Sequence, residues 1–173
     1  MKTKTQSTKE IGEESLESVF KDGLTDIYWT QKYLSKTFEK LAKAAHNPEL
    51  KSLFEEHVND TSLEVGRIEK CLEILELKIG TKTTIAIEGL AATVDNVIAS
   101  YSESNVRDAA LIAAAQKIEH YGISSYGTLR TMATVLGRVQ CAELLEENKD
   151  EEAETDEKLT RLALTINQAS IEA

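Results

Sequence analysis

Acidic side chains occur in this sequence at positions where a helix would normally bury apolar ones. Between Ile112 and Leu136, apolar residues repeat at alternating intervals of three and four positions, and Glu119 occupies one place in that repeat. Burial of a carboxylate without a partner lowers the stability of a protein by several kcal/mol. Such a group therefore requires a cationic side chain, a metal ion or a bound proton. Glu119 is therefore the first candidate for a chemical site.

Three other helical patterns are polar near their middle as well. Their inward candidates are Gln31 in the first, His57, Asp60 and Glu64 in the second, and Glu152 and Asp156 in the last. Gln31 precedes Glu64 by 33 positions, and Glu119 precedes Glu152 by the same interval. This matched spacing predicts two helix pairs with polar centres at similar depth. Carboxylate oxygens and histidine nitrogens suit iron and manganese, and two such ions would neutralise several buried charges.

Histidine donors are scarce in this arrangement, since the usual Glu-x-x-His spacing of such sites is missing. His57 and His120 could each supply a nitrogen. His120 directly follows Glu119, however, and so points about 100° away from it on a helix.

The elements that must position these residues are four long helices and one shorter helix. Their predicted ranges are about 13–45, 48–77, 83–101, from the cap residues at 102–105 to 137, and 139–168. Asn47 and Pro48 predict the start of the second helix, Gly80 its end, and Gly137 the end of the fourth. We expect an all-α protein, a ferritin-like antiparallel four-helix bundle with an additional crossover helix between helices two and three of the bundle.

Composition limits the class of protein. The 173 residues include 20 basic and 30 acidic ones, and the net charge of −10 argues against nucleic-acid and anionic-membrane partners. The first residues lack the apolar core of a signal peptide, so a cytoplasmic location is expected. Residues 1–12 are predicted to be a disordered tail and 13–170 the bundle domain. Cys71 and Cys141 are expected to be small core residues in a reducing compartment.

Several runs carry a family resemblance. LTDIYWTQKYL, FEEHVNDT, DAALIAAAQKIEHYGISSYGTL and DEEAETDEKLT resemble the YciE/YciF-type family of ferritin-like proteins, over about Leu16–Ala163. The resemblance implies a rubrerythrin-like bundle that is commonly dimeric, is associated with bacterial stress responses and holds a di-metal centre. It implies no demonstrated reaction.

The family pattern carries onto Asp26, His57, Glu119, His120, Glu152 and Asp156. Two positions depart from it: Gln31 stands where the family usually has a glutamate, and Gly122 replaces the glutamate usually found three residues after Glu119. Gln31 could coordinate through its amide oxygen without adding charge, whereas Gly122 adds no ligand. The departures favour one metal ion, a weak site or none over a complete di-metal centre.

Two functional hypotheses follow. The first is a metal-binding stress protein that holds Fe or Mn through the inward carboxylates and reacts with oxygen or peroxide, with Tyr28, Tyr121 and Tyr126 as candidates near the metal. The second is a non-catalytic helical dimer whose degenerate centre only sets helix register; Arg67, Arg107 and Arg130 would then supply ion-pair partners. A storage role in a ferritin-type shell is a weaker third alternative.

Overall fold

The described part of the chain folds into helices that match the predicted order. The computed structural model describes residues 14–80 and 85–171, and these ranges contain five α-helices and no strand. The helices are α1 (Leu16–Ala44), α2 (Pro48–Ile74), α3 (Ile85–Ser100), α4 (Asn105–Val135) and α5 (Val139–Ile171). The predicted all-α class is confirmed. The predicted tail, residues 1–12, lies outside the described residues.

Two helical hairpins form the bundle. α1 packs along α2 and α4 packs along α5, and because each pair is joined by only a few residues, its helices are antiparallel neighbours. Contacts of α2 with α5 and of α1 with α4 bring the hairpins together. In the chain, α3 lies between the two hairpins, as predicted for the crossover helix, and it packs on α4 and α1.

Two of the predicted helix ends are confirmed by their hydrogen bonds. At the start of α2, the side-chain oxygen of Asn47 accepts hydrogen bonds from the backbone N–H groups of Glu49 at 2.9 Å and Leu50 at 3.2 Å. After α4, Gly137 has a φ of 70°, and the N–H of Arg138 donates to the carbonyl of Ala133 at 2.8 Å. This is the glycine-dependent closure expected there.

The end of α2 differs from the prediction. The helix ends at Ile74 rather than continuing to Leu77, and Glu76, with a φ of 52°, takes the left-handed place that we assigned to a glycine. The N–H of Leu77 donates to the carbonyl of Leu72 at 2.9 Å. Leu77 still packs against the core, which explains why the apolar pattern continues beyond the helix.

The core consists of two apolar clusters, one toward each end of the bundle. The cluster toward the α1–α2 connection includes Phe38, Leu41, Leu50, Phe54, Ile112, Leu159 and Ile166, together with Ile87 and Val94 of α3. The cluster toward the α4–α5 connection includes Phe20, Leu24, Ile68, Cys71, Leu129, Cys141 and Leu145. Both cysteines are buried and free. The polar seam positions occupy the layer between these clusters.

A buried carboxylate connects the hairpins at one end. Asp108, at the start of α4, accepts hydrogen bonds from the backbone N–H groups of His46 at 2.8 Å and Asn47 at 2.7 Å. Charge-assisted bonds of this kind are stronger than neutral ones. They tie the α1–α2 connection to α4 and so help to set the relative height of the two hairpins.

We expect Glu76→Gly to stabilise the protein by about 0.5–1 kcal/mol, because glycine adopts the left-handed conformation without steric cost. Gly137→Ala, at the equivalent place after α4, should destabilise it by a similar amount. Urea unfolding of both variants measures the difference. A loss of stability in Glu76→Gly would show that the Glu76 side chain contributes more than its backbone conformation costs.

Candidate metal centre

A closed polar layer crosses the middle of the bundle. Its members come from four helices and are at most 2% exposed: Gln31 on α1, His57 and Glu64 on α2, Glu119 on α4 and Glu152 on α5. Each occupies a place in the inward repeat of its helix, where successive members lie three or four residues apart. The hairpins thereby bring together side chains that are up to 121 positions apart in the chain.

Gln31 connects two of the carboxylates. Its side-chain nitrogen Nε2 lies 2.6 Å from Oε2 of Glu64 and 2.7 Å from Oε1 of Glu152. It also lies 2.9 Å from the hydroxyl of Tyr126, which donates to Glu64 at 3.2 Å. Two acidic side chains are therefore partly satisfied by a neutral amide and a phenol.

The other half of the layer lacks such donors. Neither carboxylate oxygen of Glu119 accepts a hydrogen bond within the described residues, and Nε2 of His57 lies 3.7 Å from Oε1 of Glu119, beyond hydrogen-bonding distance. His57, Glu119 and Glu152 each offer one ligand atom, and these three atoms lie within 4.8 Å of one another. This cluster faces a gap in hydrogen bonding that a cation would fill.

Burial controls the protonation of the layer. It raises the pKa of Glu119 and of Glu64 well above the usual range, and the nearby Glu152 adds to both shifts. Burial lowers the pKa of His57, despite the opposing effect of Glu152. The imidazole is therefore neutral near pH 7, so its contact with Glu119 is not an ion pair but leaves a nitrogen available as a ligand.

Packing on α1 and α5 fixes the histidine ring. The rings of His57 and Phe38 are 4.1 Å apart between centroids, and Oγ1 of Thr155 lies 3.5 Å from Nδ1 of His57. These neighbours hold the ring so that the other nitrogen, Nε2, points toward Glu119. Sequence reasoning missed Thr155 and Phe38, although both occupy inward places of their helices.

The remaining predicted ligands lie at the rim. Asp26 is half-buried and accepts a hydrogen bond from the hydroxyl of Tyr121 at 2.8 Å. Asp60 is also half-buried. Oδ2 of Asp156 lies 3.5 Å from Nε2 of His120, whose side chain is 67% exposed. These four side chains lie outside the closed layer, but Oδ1 of Asp156 is buried without a donor among the described residues, and the charge of Asp156 adds to burial in raising the pKa of Glu119.

The arginines do not neutralise the centre, contrary to the ion-pair alternative. Arg67 pairs with Glu147 and Glu151 and donates to Oδ1 of Asn148 at 3.0 Å. Arg107 and Arg130 are engaged elsewhere, by the carbonyl of Ala44 and by Glu146 respectively. Among the described residues, no lysine or arginine forms a salt bridge with Glu64, Glu119 or Glu152.

Gly122 provides the space for Glu152. A Cβ atom on Gly122 would lie 2.5 Å from Oε1 of Glu152 and 2.7 Å from its Cδ. The carboxylate of Glu152 therefore fills volume that any larger residue at position 122 would occupy. In the sequence alone, Gly122 counts only as a lost ligand, because a spacing pattern does not show which neighbour fills the space.

The donor set of the layer fits a hard divalent cation. Carboxylate oxygens and one neutral imidazole are ligands that iron and manganese accept, and the buried oxygens of Glu119 lack another partner among the described residues. The fit is best on the side of His57, Glu119 and Glu152, because the amide of Gln31 faces the other side.

The fold and this buried carboxylate–histidine layer define a ferritin-like helical bundle. The family model described as "Domain of unknown function (DUF892)" matches residues 15–172. The chain therefore belongs to the DUF892 family, in agreement with the resemblance in its sequence. Protein YciF of Escherichia coli strain K12 is 45% identical over 151 residues, which are 87% of this chain and 91% of that protein.

Solved structures support the same fold. The crystal structure of the E. coli stress protein YciF matches with a TM-score of 0.87 and 43% identity, covering 90% of this chain and 99% of that one. Symerythrin from Cyanophora paradoxa matches with a TM-score of 0.64 and 14% identity, covering 90% of this chain and 87% of that one. At this low identity, the likeness to symerythrin shows the fold alone. No helix among the described residues is long and apolar enough to span a bilayer.

We expect Glu119→Gln to stabilise the metal-free protein at pH 7.5, with a gain that shrinks toward pH 5. Folding raises the pKa of the Glu119 carboxyl. The free energy of unfolding therefore falls as the pH rises from the unfolded-state pKa of this group through its folded-state pKa. The variant removes this titration. The gain at pH 7.5 should exceed that at pH 5 by about 1 kcal/mol or more.

Urea unfolding in the presence of a chelator measures this difference. Glu55→Gln, an exposed change on α2, is the matched control and should show no such pH-dependent gain. A gain in Glu119→Gln that is equal at both pH values would contradict the assignment of a buried, proton-binding Glu119.

Proposed function

We propose that this protein is a ferritin-like, metal-binding stress protein that holds one Fe or Mn ion through His57, Glu119 and Glu152. The observation that carries the proposal is the state of Glu119: it is buried, and apart from a proton that it can share with Glu152, its two oxygens accept no hydrogen bond from the described residues. A buried charge of this kind requires a counter-charge or a proton. A divalent ion would supply it and engage the neutral His57 as well.

The residues around the ion have distinct roles in this proposal. Glu119 and Glu152 supply negative charge, while His57 supplies a nitrogen oriented by Phe38 and Thr155. The two apolar clusters keep bulk water away from the layer. Iron or manganese, when bound, supplies one-electron chemistry toward oxygen or peroxide.

A surface pocket large enough for a small oxidant borders the polar layer. It has a volume of about 300 Å³, lies between α1 and α2, and is lined by Gln31, Lys32, Ser35, Thr61, Ser62 and Val65. Gln31 is also a member of the polar layer, so the pocket borders the side of the layer that faces away from His57. Its hydroxyl groups and lysine suit a small polar molecule such as peroxide.

Relatives support the physiological part of the proposal. E. coli YciF is described as a stress protein, and its 45% identity to this chain favours a related role. We expect a homodimer, as the family resemblance implies, and a cytoplasmic location, as the sequence of the first residues indicates. Sedimentation velocity that gives a monomer would remove the dimer from the proposal.

One observation favours the non-catalytic alternative. Gln31 satisfies part of Glu64 and Glu152 without any metal, as expected for a degenerate centre that only sets helix register. The two functions differ in what they predict for the metal. The non-catalytic protein needs no ion at Glu119 and should gain no stability from one.

Anaerobic titration with Fe(II), and a parallel titration with Mn(II), test the proposal. The wild-type protein should bind one ion per chain, and an ion present at about 100 times its Kd should add about 2.7 kcal/mol to the free energy of unfolding. His57→Gln should weaken binding by about 100-fold or more, because it removes a ligand. His120→Gln is the matched control at the exposed rim and should leave binding unchanged.

Either of two results would contradict the proposal. The first is a wild-type protein that binds neither metal and gains no thermal stability from it. The second is an equal effect of the two histidine variants, which would move the site away from the buried layer.

A further inference from the structure

We propose that the amide of Gln31 takes the place of a second cation, so that this centre holds one metal ion where a full complement of carboxylates would hold two. The inference rests on the proposed function and concerns the number of ions bound. It gives Gln31 a specific structural role, because its amide hydrogens hold Glu64 and Glu152 together on the side of the layer away from His57.

The side-chain nitrogen of Gln31 contacts two of the buried carboxyl groups. Its Nε2 has two hydrogens and lies 2.6 Å from an oxygen of Glu64 and 2.7 Å from an oxygen of Glu152. Two acidic side chains thus converge on one nitrogen, as they would on a shared cation. An amide nitrogen with both hydrogens directed at carboxylates has no lone pair to offer a metal.

The Gln31 amide can face the layer with its nitrogen or with its oxygen. With its oxygen turned toward the layer, the amide would place a third acceptor against two carboxylates. The hydroxyl of Tyr126, 2.9 Å from Nε2, could donate to that oxygen but would then be lost as a donor to Glu64. With the nitrogen inward, each carboxylate meets a donor. Electrostatics therefore favours the orientation that excludes a metal ion from this side of the layer.

The two sides of the layer differ in which carboxylate oxygens have hydrogen-bond donors. On the Gln31 side, Oε2 of Glu64 and Oε1 of Glu152 have donors, whereas Oε1 of Glu64 and Oε1 of Gln31 have none within the described residues. On the His57 side, both oxygens of Glu119 and Oε2 of Glu152 lack donors within the described residues. Glu152 thus belongs to both sides, and the His57 side differs in holding a carboxyl group, that of Glu119, with no donor to either oxygen.

Gly122 makes this division possible. Because a Cβ at position 122 would come within 2.5 Å of Oε1 of Glu152, only glycine leaves the carboxylate where it meets both Gln31 and the His57 cluster. Gly122 and Gln31 are therefore linked through Glu152. Gly122 leaves the space that the Glu152 carboxylate occupies, and Gln31 donates a hydrogen bond to that carboxylate.

The test is the number of metal ions bound by Gln31→Glu. This variant removes the two amide hydrogens and adds a buried carboxyl group beside Glu64 and Glu152, which favours binding of a second cation. We expect one Mn(II) per chain in the wild type and two in the variant, counted by elemental analysis after gel filtration. Electron paramagnetic resonance should change from a single-ion spectrum to that of an exchange-coupled pair.

Gln116→Glu is the matched control. Gln116 lies on α4 and its side chain donates to Thr160 at 2.8 Å, outside the buried layer. The same change of charge there should leave one ion per chain. Purification of Gln31→Glu in the presence of Mn(II) allows the metal to stabilise the fold, and circular dichroism verifies the helix content.

A second variant does not depend on adding charge. Gln31→Leu removes the amide donors, and we expect the protein to keep one ion per chain while its metal-free form melts at a lower temperature. Loss of the ion from a folded Gln31→Leu variant would overturn the inference, because Gln31 would then act as a ligand.

The counts distinguish the two proposals. Two ions in the wild type, or one in a folded Gln31→Glu variant, would overturn the role of Gln31 and leave metal binding in place. No ion in the wild type would overturn the proposed function and this inference together.

Discussion

Three buried carboxylates without a positively charged partner among the described residues are the constraint on which this structure depends. Glu64, Glu119 and Glu152 share one layer of the bundle, and the basic side chains nearest to it are engaged at the rim or elsewhere. Burial favours protonation of Glu64 and Glu119, as the raised pKa of each shows. A layer with this electrostatic cost is more readily explained by a bound cation than by a structural role alone.

The rest of the bundle creates this layer and maintains it. Matched hairpins place Gln31 against Glu64 and bring Glu152 to the same depth, while Asp108 holds the two hairpins at a common height. Apolar clusters on either side exclude water from the carboxylates. The low dielectric that makes the charges costly without a metal would also strengthen their attraction to one.

Much of this arrangement could be predicted from the sequence, because helical periodicity specifies which positions face inward. The five helices and their order were predicted, and the expected inward positions of Gln31, His57 and Glu119 are buried. Periodicity does not separate the middle of a seam from its edge. Glu152 already follows Asn148 by four positions, so a second step of four turns Asp156 about 80° away from the direction of Asn148. The side chain of Asp156 is therefore 19% exposed at the rim, whereas Thr155, three positions after Glu152, is buried. The left-handed Glu76 and the space beside Gly122 were missed because both depend on tertiary contacts.

An anomalous-scattering crystal structure of the Mn(II)-loaded protein shows directly whether the buried layer holds one metal ion. Data collected near the manganese absorption edge locate the ion without reference to any assumed ligand set. We predict one anomalous peak per chain, between His57, Glu119 and Glu152, with Gln31 still bridging Glu64 and Glu152. A buried layer without a peak, or with the peak only at rim residues such as Asp156 and His120, would contradict it.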